Sequence, residues 1–385
     1  MIEDWRHGGF GLYIHWPFCA AKCPYCDFNS HVAGVIDQKR WQAAYLSEIE
    51  RAARETKDRV LNTVFFGGGT PSLMDPELVA AIIDKIRASW PQANDPEITL
   101  EANPTSIDSG RFRAFSEAGI NRISMGMQAL NDDDLRRLGR MHSVAEGRRA
   151  FEIARTHFER VSFDLIYARQ HQTPEAWQAE LREALGMAID HLSLYQLTIE
   201  PGTVFGARHD AGKLKGLPED DSSADMYLIT QEICEEFGFP AYEVSNHARP
   251  GAESRHNLIY WRYGDYVGIG PGAHGRLTLE GRRHATDTPK QPGAWLEQVE
   301  TRGNGEASRA PLDDAEQAIE YLLFAMRLSE GLDMQRFNAI SGTPLDPQRV
   351  AYLEEIGMIT QEQGRIFATK SGRPVLNAIL RELIP

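Results

Sequence analysis

Apolar residues recur every three or four positions at Leu78, Val79, Ile82, Ile83 and Ile86, so Pro76–Ser89 is predicted as a helix with one buried face. The same period gives helices at Trp41–Glu55, Ser109–Ala118, Asp132–Leu138, Val144–Thr156 and Pro174–Ile189. Between them lie short runs that read as strands: Gly11–His15, Leu61–Phe66, Glu97–Glu101, Arg122–Gln128, Val161–Ala168 and His191–Thr198. Strand–helix alternation predicts a parallel sheet with crossover helices. Six strands are too few for a closed eight-fold barrel, so the expected fold class is α/β, an incomplete (β/α)6 TIM-like barrel. Its functional loops belong at the carboxyl ends of the strands.

After about residue 205 the rhythm changes. Ser222–Phe237 reads as a helix, His256–Gly275 is rich in glycine and aromatic residues, and 301–312 reads as a linker. From Pro311 onward the order is three helices, a hairpin at Met358–Thr369 turning near Gln363-Gly364, and a final helix at Pro374–Leu383. That order resembles a winged helix. The expected organisation is a partial barrel over 1–205, a barrel extension over 206–300 and a C-terminal helical, winged-helix-like domain over 301–385.

Composition narrows the function classes. A chain of 385 residues with 42% hydrophobic and 25% charged residues is ordinary for a globular protein, which excludes disorder as its main state. It has no run of about 18 apolar residues, so no membrane span is expected. Met1-Ile2-Glu3-Asp4-Trp5 lacks a basic region followed by an apolar one, so no secretory signal is expected and the location reads as cytoplasmic. The net charge of −14 argues against nucleic acid as the main partner. Pro311–Pro385 holds seven Lys/Arg and eleven Asp/Glu, a balance of −4, whereas a DNA-reading winged helix is basic. An RNA-modifying enzyme is disfavoured on the same ground.

Cysteine placement is more informative. Of four cysteines, Cys19, Cys23 and Cys26 fall within eight residues, directly after the first strand, in a loop bounded by Pro17 and broken by Pro24. Four are too few to staple a chain this long. An electron-transfer iron–sulfur cluster uses four cysteines; three leave a metal position open for chemistry. A Cys3His zinc site using His15 or His31 is an alternative, as is a redox pair of Cys23 and Cys26, which leaves Cys19 unexplained. Cys234, on a helix face with Ile233 and Phe237, reads as a buried residue.

Cys19-x3-Cys23-x2-Cys26, with Tyr25 before the third cysteine, resembles the radical S-adenosylmethionine superfamily. The resemblance implies a [4Fe–4S] cluster on Cys19, Cys23 and Cys26, with S-adenosylmethionine on the open iron. Gly67-Gly68-Gly69-Thr70-Pro71 after the second strand is similar to the superfamily's methionine-binding glycine motif. The stretches Tyr13–Cys19, Phe66–Ser72, Glu101–Pro104 and Met326–Leu332 resemble the oxygen-independent coproporphyrinogen III oxidase group over nearly the whole chain. Carried over by position, adenosylmethionine contacts are expected at Tyr13, Tyr25, Gly68, Gly69, Thr70, Glu101, Gln128, Arg140 and Asp164. The oxidases carry a fourth cysteine two residues after the third. Phe28 stands there in this chain, which speaks against oxidase activity, and no residue is assigned a catalytic role.

His256-Asn257-Leu258-Ile259-Tyr260-Trp261, followed by Gly264-Asp265-Tyr266 and Gly272-Ala273-His274-Gly275, resembles the haem chaperone branch of the same group. That branch implies haem binding and delivery to haem-requiring acceptors such as respiratory enzymes. It also implies a homodimer and peripheral membrane contact through partners. His256 is the expected haem ligand, with His274 as the runner-up or else a residue lining the adenosylmethionine site, Asn257 on a propionate, and Tyr260 and Trp261 against the macrocycle. The other reading of His256 is a hydrogen-bonded packing residue. Tyr167-Ala168-Arg169-Gln170-His171-Gln172-Thr173 departs from the Gly-Leu-Pro segment of many relatives and is expected to change the loop near Asp164.

Overall fold

Leu12, Ile14 and Trp16 alternate along the first strand and all three are fully buried, the mark of a strand covered by helices. In the computed structural model, which describes residues 3–384, this strand is β1 (Phe10–Trp16). Met1 and Ile2 of the expected signal-free start, and Pro385, lie outside the described residues. Next come β2 (Leu61–Gly68), β3 (Gln92–Ala102), β4 (Arg122–Gln128), β5 (Arg160–Tyr167) and β6 (His191–Gln196). Each lies parallel to the one before, in chain order. The six expected strands therefore form the expected α/β sheet, with helices such as Gln38–Thr56 and Pro76–Ser89 crossing between them.

Further strands extend both edges. β7 (Asn246–Ala248) runs antiparallel to β6. β8 (Asp265–Ile269) runs parallel to β1, making a seventh parallel strand inside the glycine- and aromatic-rich stretch. Gly268 is needed there, because a Cβ at that position would collide with the carbonyl oxygen of His274. β9 (His274–Leu279), β10 (Arg282–Asp287) and β11 (Ser308–Pro311) continue antiparallel. The order β11-β10-β9-β8-β1-β2-β3-β4-β5-β6-β7 is linear, so the barrel is open. One expectation is corrected: 301–312 is not a free linker, because β11 pairs with β10. Its side chains are mostly exposed, so no apolar alternation marks it.

The C-terminal part has helices at Asp314–Ala325, Met334–Ser341 and Pro347–Glu355, then a hairpin of Ile359–Glu362 and Arg365–Ala368. Gln363 and Gly364 both have positive φ, as a two-residue hairpin turn requires. Tyr321, Leu322, Phe337, Leu353, Ile366 and Ile379 form a core of its own. Arg336 on Asp4 and Arg327 on Glu243 tie this core to the barrel.

Candidate functional site

The cysteine loop leaves the carboxyl end of β1. Two short strands, Phe18–Cys19 and His31–Val32, pair with each other and close it. Cys19, Cys23 and Cys26 face one pocket of about 410 Å3. Thr70 Oγ1 donates to Cys19 Sγ at 3.3 Å and Arg140 Nη1 to Cys23 Sγ at 3.5 Å. Burial pushes the Cys19 and Cys26 thiols up. Among the described residues no three of His, Cys, Asp and Glu converge on a single ion. Three thiols spread around one opening suit a polynuclear cluster better than zinc. The histidines of the zinc alternative are also engaged: His15 bonds Tyr13 OH and the Asn29 carbonyl, and His31 bonds the Asn29 side chain.

The glycine loop is pinned to the cysteine loop. Gly69 N–H donates to the Trp16 carbonyl at 2.7 Å and Thr70 N–H to the Phe18 carbonyl at 2.8 Å. A Cβ on Gly69 would meet the Phe18 carbonyl at 2.7 Å, and Gly68 holds φ +109 against the His15 ring, so neither position accepts a side chain. Gly68 N–H donates to Glu101 Oε2 at 3.1 Å.

Glu101 and Asp164 are the charged centre of the pocket. Burial, and then the charge of Asp164, push Glu101 up to about 8. Burial pushes Asp164 up to about 6, against a hydrogen bond from Ser193 and the charges of Arg122 and Arg140. Arginine charge reaches both sites, but among the described residues neither carboxylate has a cation within salt-bridge distance. A ligand with positive charge would supply what they lack.

Gln128 and Arg140 complete the wall. A register shift between Met125 and Gln128 and a φ of 70° at Gln128 re-aim its side chain into the pocket. Gln128 Oε1 and Arg140 Nε are buried with no protein partner, so both retain capacity for a ligand. These orphans, the uncompensated carboxylates and the thiol donor set fit adenosylmethionine and its cluster.

The pocket thus brings together Cys19, Cys23, Cys26, Tyr25, Gly68, Gly69, Thr70, Glu101, Gln128, Arg140 and Asp164. Tyr13 lies deeper, stacked between Phe65 and His256, with its ring against Gly67. It backs the glycine loop and does not line the pocket. Tyr195, Gln196 and Thr198 line it and escaped the sequence reading. Their signal was position alone, the carboxyl end of the last expected strand.

His256 lies elsewhere. Arg255–Trp261 is a helix that fills the amino end of the barrel. His256 Nδ1 bonds Thr63 Oγ1 and Nε2 bonds Tyr260 OH, both at 2.7 Å, and its ring stacks on Phe65 at 5.0 Å. Burial and the charge of Arg122 hold it neutral, down at about 3. Both ring nitrogens are occupied, so this conformation offers no free one to iron. Asn257 is half-buried and Tyr260 packs on Tyr266. Trp261 lies under the Arg327 guanidinium, and His274 is exposed at the start of β9. The departing segment at 167–173 is tied by Arg169, which binds Asp134, Glu180 and the Ile166 carbonyl. Asp164 keeps its place in the pocket despite that departure.

The radical SAM superfamily profile matches residues 13–184, and that of the HemN C-terminal domain matches 312–375. The "Heme chaperone HemW" of Escherichia coli is 36% identical over 374 residues, 96% of each chain. This chain belongs to the HemW family of radical SAM proteins. Another relative is the zebrafish "Radical S-adenosyl methionine domain-containing protein 1, mitochondrial", 39% identical over 335 residues, 86% of this chain and 75% of that protein. The solved E. coli coproporphyrinogen III oxidase (HemN), a radical SAM enzyme, shares the fold with a TM-score of 0.81 at 23% identity, over 98% of this chain and 90% of that one. Membership in the radical SAM superfamily implies a [4Fe–4S] cluster and S-adenosylmethionine.

Proposed function

We propose that this protein holds haem and passes it to haem-requiring acceptors such as respiratory enzymes, with a [4Fe–4S] cluster and S-adenosylmethionine in the barrel pocket. The observation that carries the reading is Phe28. It stands where the oxidases have a fourth cysteine, at the mouth of the pocket and 58% exposed. A phenyl ring there neither ligates metal nor moves a proton, and it offers an apolar face to a flat ligand. HemW relatives at 34–36% identity over most of the chain support the same reading.

Cys19, Cys23 and Cys26 would hold the cluster. When bound, the cluster supplies a single electron to the sulfonium. The protein's own part is to bind and orient: Gly68 and Gly69 allow close approach of the methionyl group, Glu101 and Asp164 answer positive charge, and Gln128 and Arg140 supply the remaining polar partners. His256 as a haem ligand requires the Arg255–Trp261 helix to release one of its two bonds. His274, already exposed, needs no such change. Dimer formation and membrane contact through a partner also belong to this reading. Among the described residues no helix is long and apolar enough to cross a membrane. We place the protein in the cytoplasm, while its animal relatives carry "mitochondrial" in their names.

The test is haem transfer. Protein reconstituted anaerobically with iron and sulfide is loaded with haem and mixed with an acceptor lacking haem. The proposal expects haem to move to the acceptor faster than from free solution; no acceleration contradicts it. The shared fold with coproporphyrinogen III oxidase favours a second reading, radical decarboxylation of coproporphyrinogen propionates. Steady protoporphyrinogen formation in an anaerobic assay with reductant and adenosylmethionine would establish that one instead.

A further inference from the structure

The segment entering the last helix passes the open edge of the barrel, where a second cleft of about 280 Å3 lies between Tyr167, Gln196, Tyr227, Ser245 and Arg373. Gln196 also lines the cysteine pocket, so the two spaces adjoin at the carboxyl end of β6. The cleft has no role in cluster or adenosylmethionine binding as derived above.

Its guanidinium lacks an ion pair. Arg373 is half-buried, and among the described residues no carboxylate lies within 4 Å of its guanidinium. Its one hydrogen bond runs from Nη1 to the Arg327 carbonyl at 3.1 Å. Three buried arginines are paired, Arg59 and Arg283 with Asp265 and Arg169 with Asp134 and Glu180, whereas buried Arg122 has only the Ser162 hydroxyl and, unlike Arg373, does not line the cleft. The nearby Glu243 is already engaged, by Arg327, Ser245 N–H and Asn246. Asp220 on the cleft wall is exposed and stands beyond ion-pair range. Burial, against the opposing influence of Tyr227 and Glu243 and aided by the like charge of Arg327, holds Arg373 below the usual arginine value. Tyr227 OH is buried with no partner, and neither ring nitrogen of the fully buried His247, which the Arg373 charge reaches, is bonded. A guanidinium fork without a carboxylate, beside an idle phenol, is a receptor for a carboxylate.

We propose that Arg373, with Tyr227, anchors a carboxylate of a ligand that spans from the main pocket into this cleft. Resting on the haem reading above, the carboxylate is a propionate of the tetrapyrrole. The C-terminal domain then contributes directly to ligand binding, at a point where it meets the barrel.

The experiment compares protoporphyrin IX with its dimethyl ester, by fluorescence quenching, on the full reconstituted chain. The wild type is expected to bind the free acid roughly 10-fold or more tightly than the ester. Arg373→Gln and Tyr227→Phe are expected to weaken the acid, the arginine change by roughly 10-fold or more, and to leave the ester unchanged. Retained circular dichroism and iron content confirm that each variant folds. Equal loss for acid and ester, or no loss, overturns the anchor while the haem reading stands. Binding of neither porphyrin to the wild type overturns that reading and the anchor with it.

Discussion

Glu101 and Asp164 show how single residues set the conditions of binding. Both are held above their ordinary values, Glu101 at about 8 and Asp164 at about 6. The fold therefore favours their neutral forms. Their contribution to stability is fully present at acid pH and is lost as pH rises through about 6 and then about 8. A cationic ligand reverses the preference, because it favours the ionised carboxylates. Adenosylmethionine affinity is thus expected to rise between pH 6 and 8.5, with proton release on binding. Calorimetry in buffers of different ionisation heat measures this, and Glu101→Gln should flatten the upper part of the rise. A profile unchanged by that substitution would show that another group titrates. At the same scale, Cys19→Ala should abolish retention of cluster iron while Cys234→Ala leaves the iron count unaltered, read by metal analysis. Cys234 is fully buried in the barrel core, away from the pocket.

At the scale of elements, most of the site was legible because chemistry and strand ends coincide. Glu101, Gln128 and Asp164 each sit near the carboxyl end of a strand that alternation already marked. The cysteine spacing needed no fold at all. Several elements were not legible, and three of them show why. In β8 an aspartate, Asp265, and a glycine, Gly268, interrupt the apolar pattern, and only pairing with β1 reveals it as a strand. β11 is exposed and reads as linker because its hydrogen bonds, not its side chains, hold it. The Arg255–Trp261 helix carries residues suited to haem, yet its histidine faces inward. Periodicity over seven residues cannot say which end of the barrel a helix will fill. His256→Ala removes two buried hydrogen bonds and a stacked ring, so a loss of about 2–4 kcal/mol is expected in denaturant unfolding. Loss of haem absorbance with unchanged stability would mean that the helix moves to present the imidazole. Arg169→Ala leaves Glu180 without a cation, while Asp134 keeps Arg137, and a loss of about 3 kcal/mol is expected in the same measurement.

Over the whole molecule, the open barrel and the C-terminal core share one set of polar contacts. Arg327 links them, with its guanidinium over Trp261 and an ion pair to the buried Glu243. The Arg255–Trp261 helix, the open sheet edge and the C-terminal domain therefore meet around one arginine. A change in that domain has a physical route to both ends of the barrel. The charge of −14 leaves nucleic acid a poor partner, and RNA affinity at physiological salt is expected to be undetectable by filter binding. The most direct measurement of the central claim is a haem titration of the anaerobically reconstituted protein, followed in the Soret region with iron counted in parallel. The account predicts saturation at one haem per chain with the cluster retained. A signal that grows without saturation, as for nonspecific haem, would contradict it.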